Sequence, residues 1–269
     1  MASSKTELKQ SKVVSHEEWL AARKEHLAKE KEFTKLRDEL SRQRRELPYE
    51  KVGKNYVFEG PNGKETLADL FGGRSQLFVY HFMLGPGWKE GCQSCSYLAD
   101  HFDGPTIHLA NRDVTLVVVS RAPYAEIEAF KKRMGWKFKW VSSFGNDFNY
   151  DYHVSFTKEE TAKGEVYYNY GMTKFPSEEA PGGSVFRRDA ATGEVFHTYS
   201  GYGRALDILI GAYNFLDFAP KGRDEEGLAF SMSWVRHHDK YSEGYSVDPT
   251  QSYVAPKIAD AGCCSGEKH

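Results

Sequence analysis

Two nearly continuous apolar runs dominate the pattern along the chain, Gln76–Leu84 (QLFVYHFML) and Val114–Ser120 (VTLVVVS). A strand covered on both faces has no solvent side to make polar, so each run predicts a buried strand. Between them Gly85-Pro86-Gly87 breaks the chain, and SYLADHF, from Ser96, reads as helical. After the second strand, Pro123 suits the first turn of a helix with Ile127, Phe130 and Met134 on one face. Gly135 ends that helix, and FKWVS from Phe138 reads as a third strand. Ser184–Arg188 and Glu194–Tyr199 then flank Asp189–Gly193, a hairpin signal. A last helix places Leu206, Leu209, Ile210 and Tyr213 at helical spacing and stops before Pro220. The order β-α-β-α-β, hairpin, α predicts an α/β fold with a mixed sheet flanked by helices on both faces.

Two segments lie outside this alternation. Ser15-His-Glu-Glu18 is a capping box, and the stretch to Glu46 is rich in Ala, Leu, Glu, Lys and Arg without Gly or Pro. It predicts an unbroken helix of about 30 residues, roughly 45 Å long, stopped by Pro48. Its sparse apolar positions (Leu20, Leu27, Phe33, Leu36, Leu40) keep no heptad. A charged helix lying across its own domain is favoured over an arm that packs on a second subunit. Downstream, Phe148–Phe156 (FNYDYHVSF) alternates apolar and polar residues, which predicts a strand with an aromatic face. It belongs to an aromatic-rich insertion, 144–183, long enough to add a strand or a flap. The chain thus divides into an N-terminal polar segment and helix (1–48), a core domain (49–220) and a C-terminal wrapping segment (221–269).

Composition removes several function classes. Lys and Arg total 36 against 38 Asp and Glu, a net charge of −2, so nothing favours a nucleic-acid partner. A hydrophobic fraction of 40% fits a globular chain, and no apolar run reaches the roughly 18–20 residues of a membrane span. The start, MASSKTELKQSKVV, lacks the apolar centre of a secretory signal, which predicts a soluble, cytoplasmic protein. No P-loop or dinucleotide fingerprint is present, so no cofactor is expected and reducing equivalents would come from a partner.

The four cysteines form two local pairs, Cys92 with Cys95 and Cys263 with Cys264, and neither pair can staple a long loop. Cys92-Gln-Ser-Cys95 follows a buried strand and opens a helix. There, free N–H groups and the helix dipole favour negative charge and can bring a thiol pKa from about 8.5 into the range of about 3.5–7.5. Cys92 is then the attacking thiolate and Cys95, one turn on, the resolving thiol. The competing reading is half of a zinc or soft-metal site, completed from a distance by His237-His238 or the tail pair. A third is a non-catalytic interaction protein. His81 reads as a hydrogen-bonded core histidine, and adjacent His237 and His238 diverge too far to share one ion readily.

HFMLGPGWKEGCQSCSYLADHFDG, HLANRDVTLVVVSRAP and KKRMGWKFKWVSSFGNDFNYDY closely resemble the thioredoxin-like family known as domain of unknown function eight-nine-nine. The likeness continues through EEWLAARKEHLAKEKEFTKLRDEL upstream and SVFRRD, GAYNFLDFAPKGRDE and WVRHHDKY downstream, from about residue 15 to 241. It implies a thioredoxin-like fold related to the peroxiredoxins. Where peroxiredoxins carry a threonine three residues before the reactive cysteine, this chain has Lys89, which leaves peroxide reduction weak. Thioredoxins set a proline before the hairpin strand against the dithiol. Here Gly183 or Ser184 stands at that place, with Pro181 nearby. Arg121 at a strand end, and Arg187 in the hairpin, are candidates to stabilise a developing anion. Gly262-Cys-Cys-Ser265 resembles the vicinal-cysteine tails of mercuric reductases. The expectation is a thiol–disulfide oxidoreductase acting through Cys92, Cys95 and Arg121, its partner a thiol or disulfide protein or a small thiol. The helical arm raises a homodimer as one assembly.

Overall fold

A computed structural model describes residues 12–241. Helix α1 (His16–Arg44) opens with the capping box, in which the Ser15 hydroxyl accepts from the Glu18 amide. It buries none of its residues, and Trp19, Phe33, Leu36 and Leu40 are all more than half exposed. The helix therefore projects from the domain instead of lying across it. Its apolar side chains are too scattered to form the continuous stripe that docking on the sheet would need. At its end the Arg44 guanidinium lies 4.7 Å above the Tyr199 ring.

The chain continues through β1 (Glu50–Lys51), the hairpin β2 (Val57–Gly60) and β3 (Gly63–Thr66), then β4 (Gln76–His81). Next come α2 (Gln93–Ala99), α3 (Asp103–Ala110), β5 (Val114–Ser120), α4 (Tyr124–Arg133) and β6 (Lys139–Ser142). Short helices α5 (Phe148–Asp151) and α6 (Lys158–Ala162) precede a separate small hairpin, β7 (Val166–Tyr168) with β8 (Gly171–Thr173). The strands β9 (Gly182–Arg188) and β10 (Val195–Tyr202) lead into a 3-10 turn, Gly203–Leu209, and α7 (Gly211–Phe218). The sheet runs β1-β10-β9-β4-β5-β6-β2-β3, with β4, β5 and β6 parallel and β9 antiparallel to β4. This is the thioredoxin-like arrangement that the family resemblance implies. No described helix is long and apolar enough to cross a membrane.

Alternation along β4 decides which residues reach the site. Tyr80, Val118 and Trp140 form one row across β4, β5 and β6. They pack with α2, α4 and α7 through Leu98, Ile127, Phe130 and Tyr213. Leu77, Val79, Val117, Val119 and Val141 face the other way, against Phe58, Leu70, Phe71 and Phe148. Trp140, Tyr80 and Tyr213 are among the largest fully buried side chains, and truncating one such group typically costs about 3–5 kcal/mol. The sheet's dithiol face is therefore held rigidly under α2.

Two further elements differ from the sequence expectation. Phe148–Phe156 is not a strand: α5 takes its first turn, and His153 turns the chain at φ 53°. Phe148 and Tyr152, four residues apart, bring their ring centroids to 4.7 Å and share the same core, so a helical repeat hid inside an alternating pattern. The predicted last helix is divided, a 3-10 turn to Leu209 and then α7, because Ile210 is extended at φ −92°, ψ 92°.

Candidate dithiol site

Cys92 is the N-cap of α2, its amide bonded to the Met83 carbonyl at 3.0 Å and its carbonyl accepting from the Ser96 amide at 2.9 Å. The loop between β4 and α2 thus fixes the first cysteine at the helix entrance. One turn on, Cys95 is buried under the helix while Cys92 is half-buried, and both are free thiols. The Cys95 thiol donates to Cys92 Sγ, and this contact does most to lower the Cys92 pKa to about 7. Donation from the Ser94 and Cys95 amides and from the Ser94 hydroxyl adds to it, against the opposing effect of burial. Sequence reasoning named the helix N-terminus as the cause; the larger one is the partner thiol. Burial, and then the neighbouring Cys92 charge, push the Cys95 thiol well up. The Tyr80 hydroxyl, rising from β4, donates to Cys95 Sγ.

The close fit beneath the dithiol loop leaves no room at Gly91. A Cβ there would lie 2.5 Å from Phe82 Cε1 and 2.8 Å from Phe130 Cε1, both in the core. Gly91→Ala should therefore destabilise the fold by about 1–3 kcal/mol, measured as a lower urea midpoint with an unchanged slope.

Both cysteines line a cavity of about 660 Å³. Its floor is Tyr80, Met83 and Leu98, and the insertion contributes Tyr168 and Phe175. Tyr168 is fixed by donating to the Pro181 carbonyl at 2.7 Å and accepting from the Gly203 amide at 3.0 Å. Pro181 lines the cavity just ahead of β9, while Gly183 pairs with Tyr80 in the sheet. The far wall comes from residues 203–213 and from the C-terminal segment, through Arg223, Glu225 and Met232. That segment is clasped by polar groups. Glu225 accepts from Tyr213 Oη at 2.6 Å, Trp234 Nε1 at 2.8 Å and the Met232 amide at 2.9 Å. His237, buried, donates Nε2 to the Gly91 carbonyl at 2.9 Å, one residue from Cys92.

The other sequence candidates have separate partners. Arg121 is not among the cavity's lining residues; it binds the buried Glu179 at 2.6 Å and lies over the Tyr150 ring at 5.3 Å. Arg187 pairs with Gln76 at the opposite end of β4 from the dithiol and lies over Tyr49 at 5.9 Å. His81 is fully buried on the other face of the sheet, 2.8 Å from Ser184 Oγ, and burial lowers its pKa to about 3. His238 faces Asp100 at 2.7 Å. Among the described residues no three His, Cys, Asp or Glu side chains converge as a metal site. Cys263 and Cys264 lie outside the described residues. Sequence reasoning missed Tyr80, Tyr168, Arg223 and Glu225; only the apolar run that becomes β4 carried a signal, for Tyr80.

The profile of the family described as "Bacterial protein of unknown function (DUF899)" matches residues 8–241. Among solved structures the chain is similar to a peroxiredoxin Q mutant from Xanthomonas campestris, at 12% identity and a TM-score of 0.37, over 63% of this chain and 98% of that one. It is similar to a putative thiol:disulfide interchange protein DsbE from Chlorobium tepidum, at 14% identity and a TM-score of 0.37, over 62% and 97%. The mitochondrial 2-Cys peroxiredoxin of Plasmodium falciparum stands at 12% and 0.36, over 62% and 93%. No curated protein matches.

Proposed function

We propose that this chain, which belongs to the bacterial DUF899 family, is a thiol–disulfide oxidoreductase that cycles Cys92 and Cys95 between dithiol and disulfide. The observation that carries the reading is the asymmetry of the pair: a half-buried thiol at the cavity, its pKa near 7, beside a fully buried partner held protonated. An attacking thiol is most effective with a pKa near the ambient pH, and a resolving thiol must wait until the mixed disulfide exists. Cys92 thiolate attacks one sulfur of R–S–S–R′, and R′S⁻ leaves and takes a proton. Once Cys92 is in the mixed disulfide, its charge no longer holds the Cys95 proton. Cys95 then loses that proton, attacks Cys92 Sγ and expels RS⁻. Two electrons have passed from the dithiol to the substrate, and an external thiol restores the starting state.

The test is the alkylation rate of Cys92 against pH, with mass spectrometry assigning the modified residue. A midpoint near 7, together with a reversible Cys92–Cys95 bond under mild oxidant, is expected. A midpoint in the ordinary thiol range of about 8.5, or a pair that does not close, would overturn the reading.

A further inference from the structure

We propose that the disulfide reduced at Cys92 is a small, neutral, largely apolar molecule drawn into the cavity, not a protein disulfide and not an anionic one. This rests on the dithiol reading above and specifies its substrate. Three features of the cavity carry it.

The first is its size. At about 660 Å³ it falls within the roughly 300–1,000 Å³ typical of small-molecule sites. Its walls come from β4, α2, the insertion, the 203–213 segment and the C-terminal segment, so Cys92 faces a walled cleft and not a flat surface. Thiol exchange with a folded protein asks for the opposite, a sulfur presented on an open surface.

The second is that the wall's tyrosines, Arg223 and Glu225 are already paired with one another or with the backbone. Tyr168 Oη is held between Pro181 and Gly203, and Tyr213 Oη is spent on Glu225. Glu225 takes three donors on Oε1, and Arg223 is clamped by Asp207 at 2.8 Å and Asp217 at 2.8 Å while lying 3.9 Å above the Tyr213 ring. What remains for a ligand is mostly the apolar surface of Met83, Leu98, Phe175, Leu206, Ile210 and Met232, with Ser94 and Ser231 as small polar contacts. Such a surface gains from apolar groups and offers a peptide backbone no ready partner.

The third is charge. The charged wall residues are Arg204 and Arg223 against Asp207, Asp217 and Glu225, one negative charge in excess. Donation from Arg223 holds Asp217 below the usual carboxylate range. Burial raises Glu225, but its donors outweigh that and leave it lowered. The wall is thus anionic at neutral pH and repels glutathione disulfide or cystine carboxylates. The step balances as R–S–S–R plus the dithiol giving two RSH and the Cys92–Cys95 disulfide.

The experiment uses the full chain, pre-reduced, with oxidation of Cys92–Cys95 followed by mass spectrometry. Three probes are compared: di-n-butyl disulfide, glutathione disulfide and insulin. Each rate is divided by the rate of the same probe with dithiothreitol. The butyl probe should exceed both others by about tenfold or more, the range one or two apolar contacts supply. Met232→Trp, which fills the cavity, should collapse that ratio, and Asp217→Asn should raise the glutathione disulfide rate severalfold. An equal or faster normalised rate for glutathione disulfide or insulin overturns the substrate class while leaving the dithiol reading intact, provided Cys92 titrates near 7. No oxidation by any probe, with an ordinary Cys92 midpoint, overturns both.

Discussion

Cys92→Ser should reduce thiol–disulfide exchange to background, a loss on the order of 10³-fold or more, because an alcohol at neutral pH supplies almost no anion to attack sulfur. Substitutions at Cys95 should behave differently from that and from each other. In Cys95→Ser the nucleophile survives and the resolving thiol is gone, so the first substrate half stays on Cys92 as a stable mixed disulfide, visible by mass. The serine hydroxyl can still donate to Cys92 Sγ, so the alkylation midpoint should remain near 7. Cys95→Ala removes the donor that does most to lower the Cys92 pKa, and the midpoint should climb toward about 8.5. The amides of Ser94 and Cys95 and the Ser94 hydroxyl remain, so part of the depression should persist. If Cys95→Ala left the midpoint unmoved, the partner-thiol account would fail and the helix entrance would be the controlling influence.

Much of this architecture could be read from the residues because its signals are local. The apolar runs at 76–84 and 114–120 become β4 and β5, and the Asp189–Gly193 turn joins β9 to β10. The three-residue spacing of Cys92 and Cys95 sets both on one side of α2. What could not be read depends on distant contacts. The side of the sheet that Tyr80 faces follows only from where α2 lands. The 221–241 segment shows no periodicity because polar clasps hold it, Glu225 to Tyr213 and His237 to Gly91, not an apolar stripe. Phe148 and Tyr152 satisfy an alternating and a helical repeat at once, and the left-handed turn at His153 decides between them.

Arg121 illustrates the same limit, and it yields the largest expected change in stability. Its Glu179 partner is 58 residues away in sequence, beyond any local pattern. Glu179 is 1% exposed, accepts from Arg121 Nε and from Ser155 Oγ, each at 2.6 Å, and ties the insertion to the end of β5. Arg121→Ala leaves that carboxylate buried without its counter-charge, which should cost about 3–5 kcal/mol at neutral pH. Glu179→Gln should cost less, and the double variant less than Arg121→Ala alone, since no buried charge is then stranded. The pH dependence has a definite sign. Burial already raises the Glu179 pKa above its unfolded value, with Ser155 and Arg121 opposing, and removing Arg121 raises it further. A carboxyl raised in the folded state favours folding while protonated and loses that advantage as pH rises through its folded pKa. The penalty of Arg121→Ala should therefore be smallest near pH 4 and grow toward neutrality, in urea titrations of both proteins across that window. A constant penalty would mean that lost packing against Tyr150 dominates. Cys92 alkylation measured on the double variant separates this structural role from catalysis: Arg121 lies outside the dithiol cavity, so the midpoint should stay near 7.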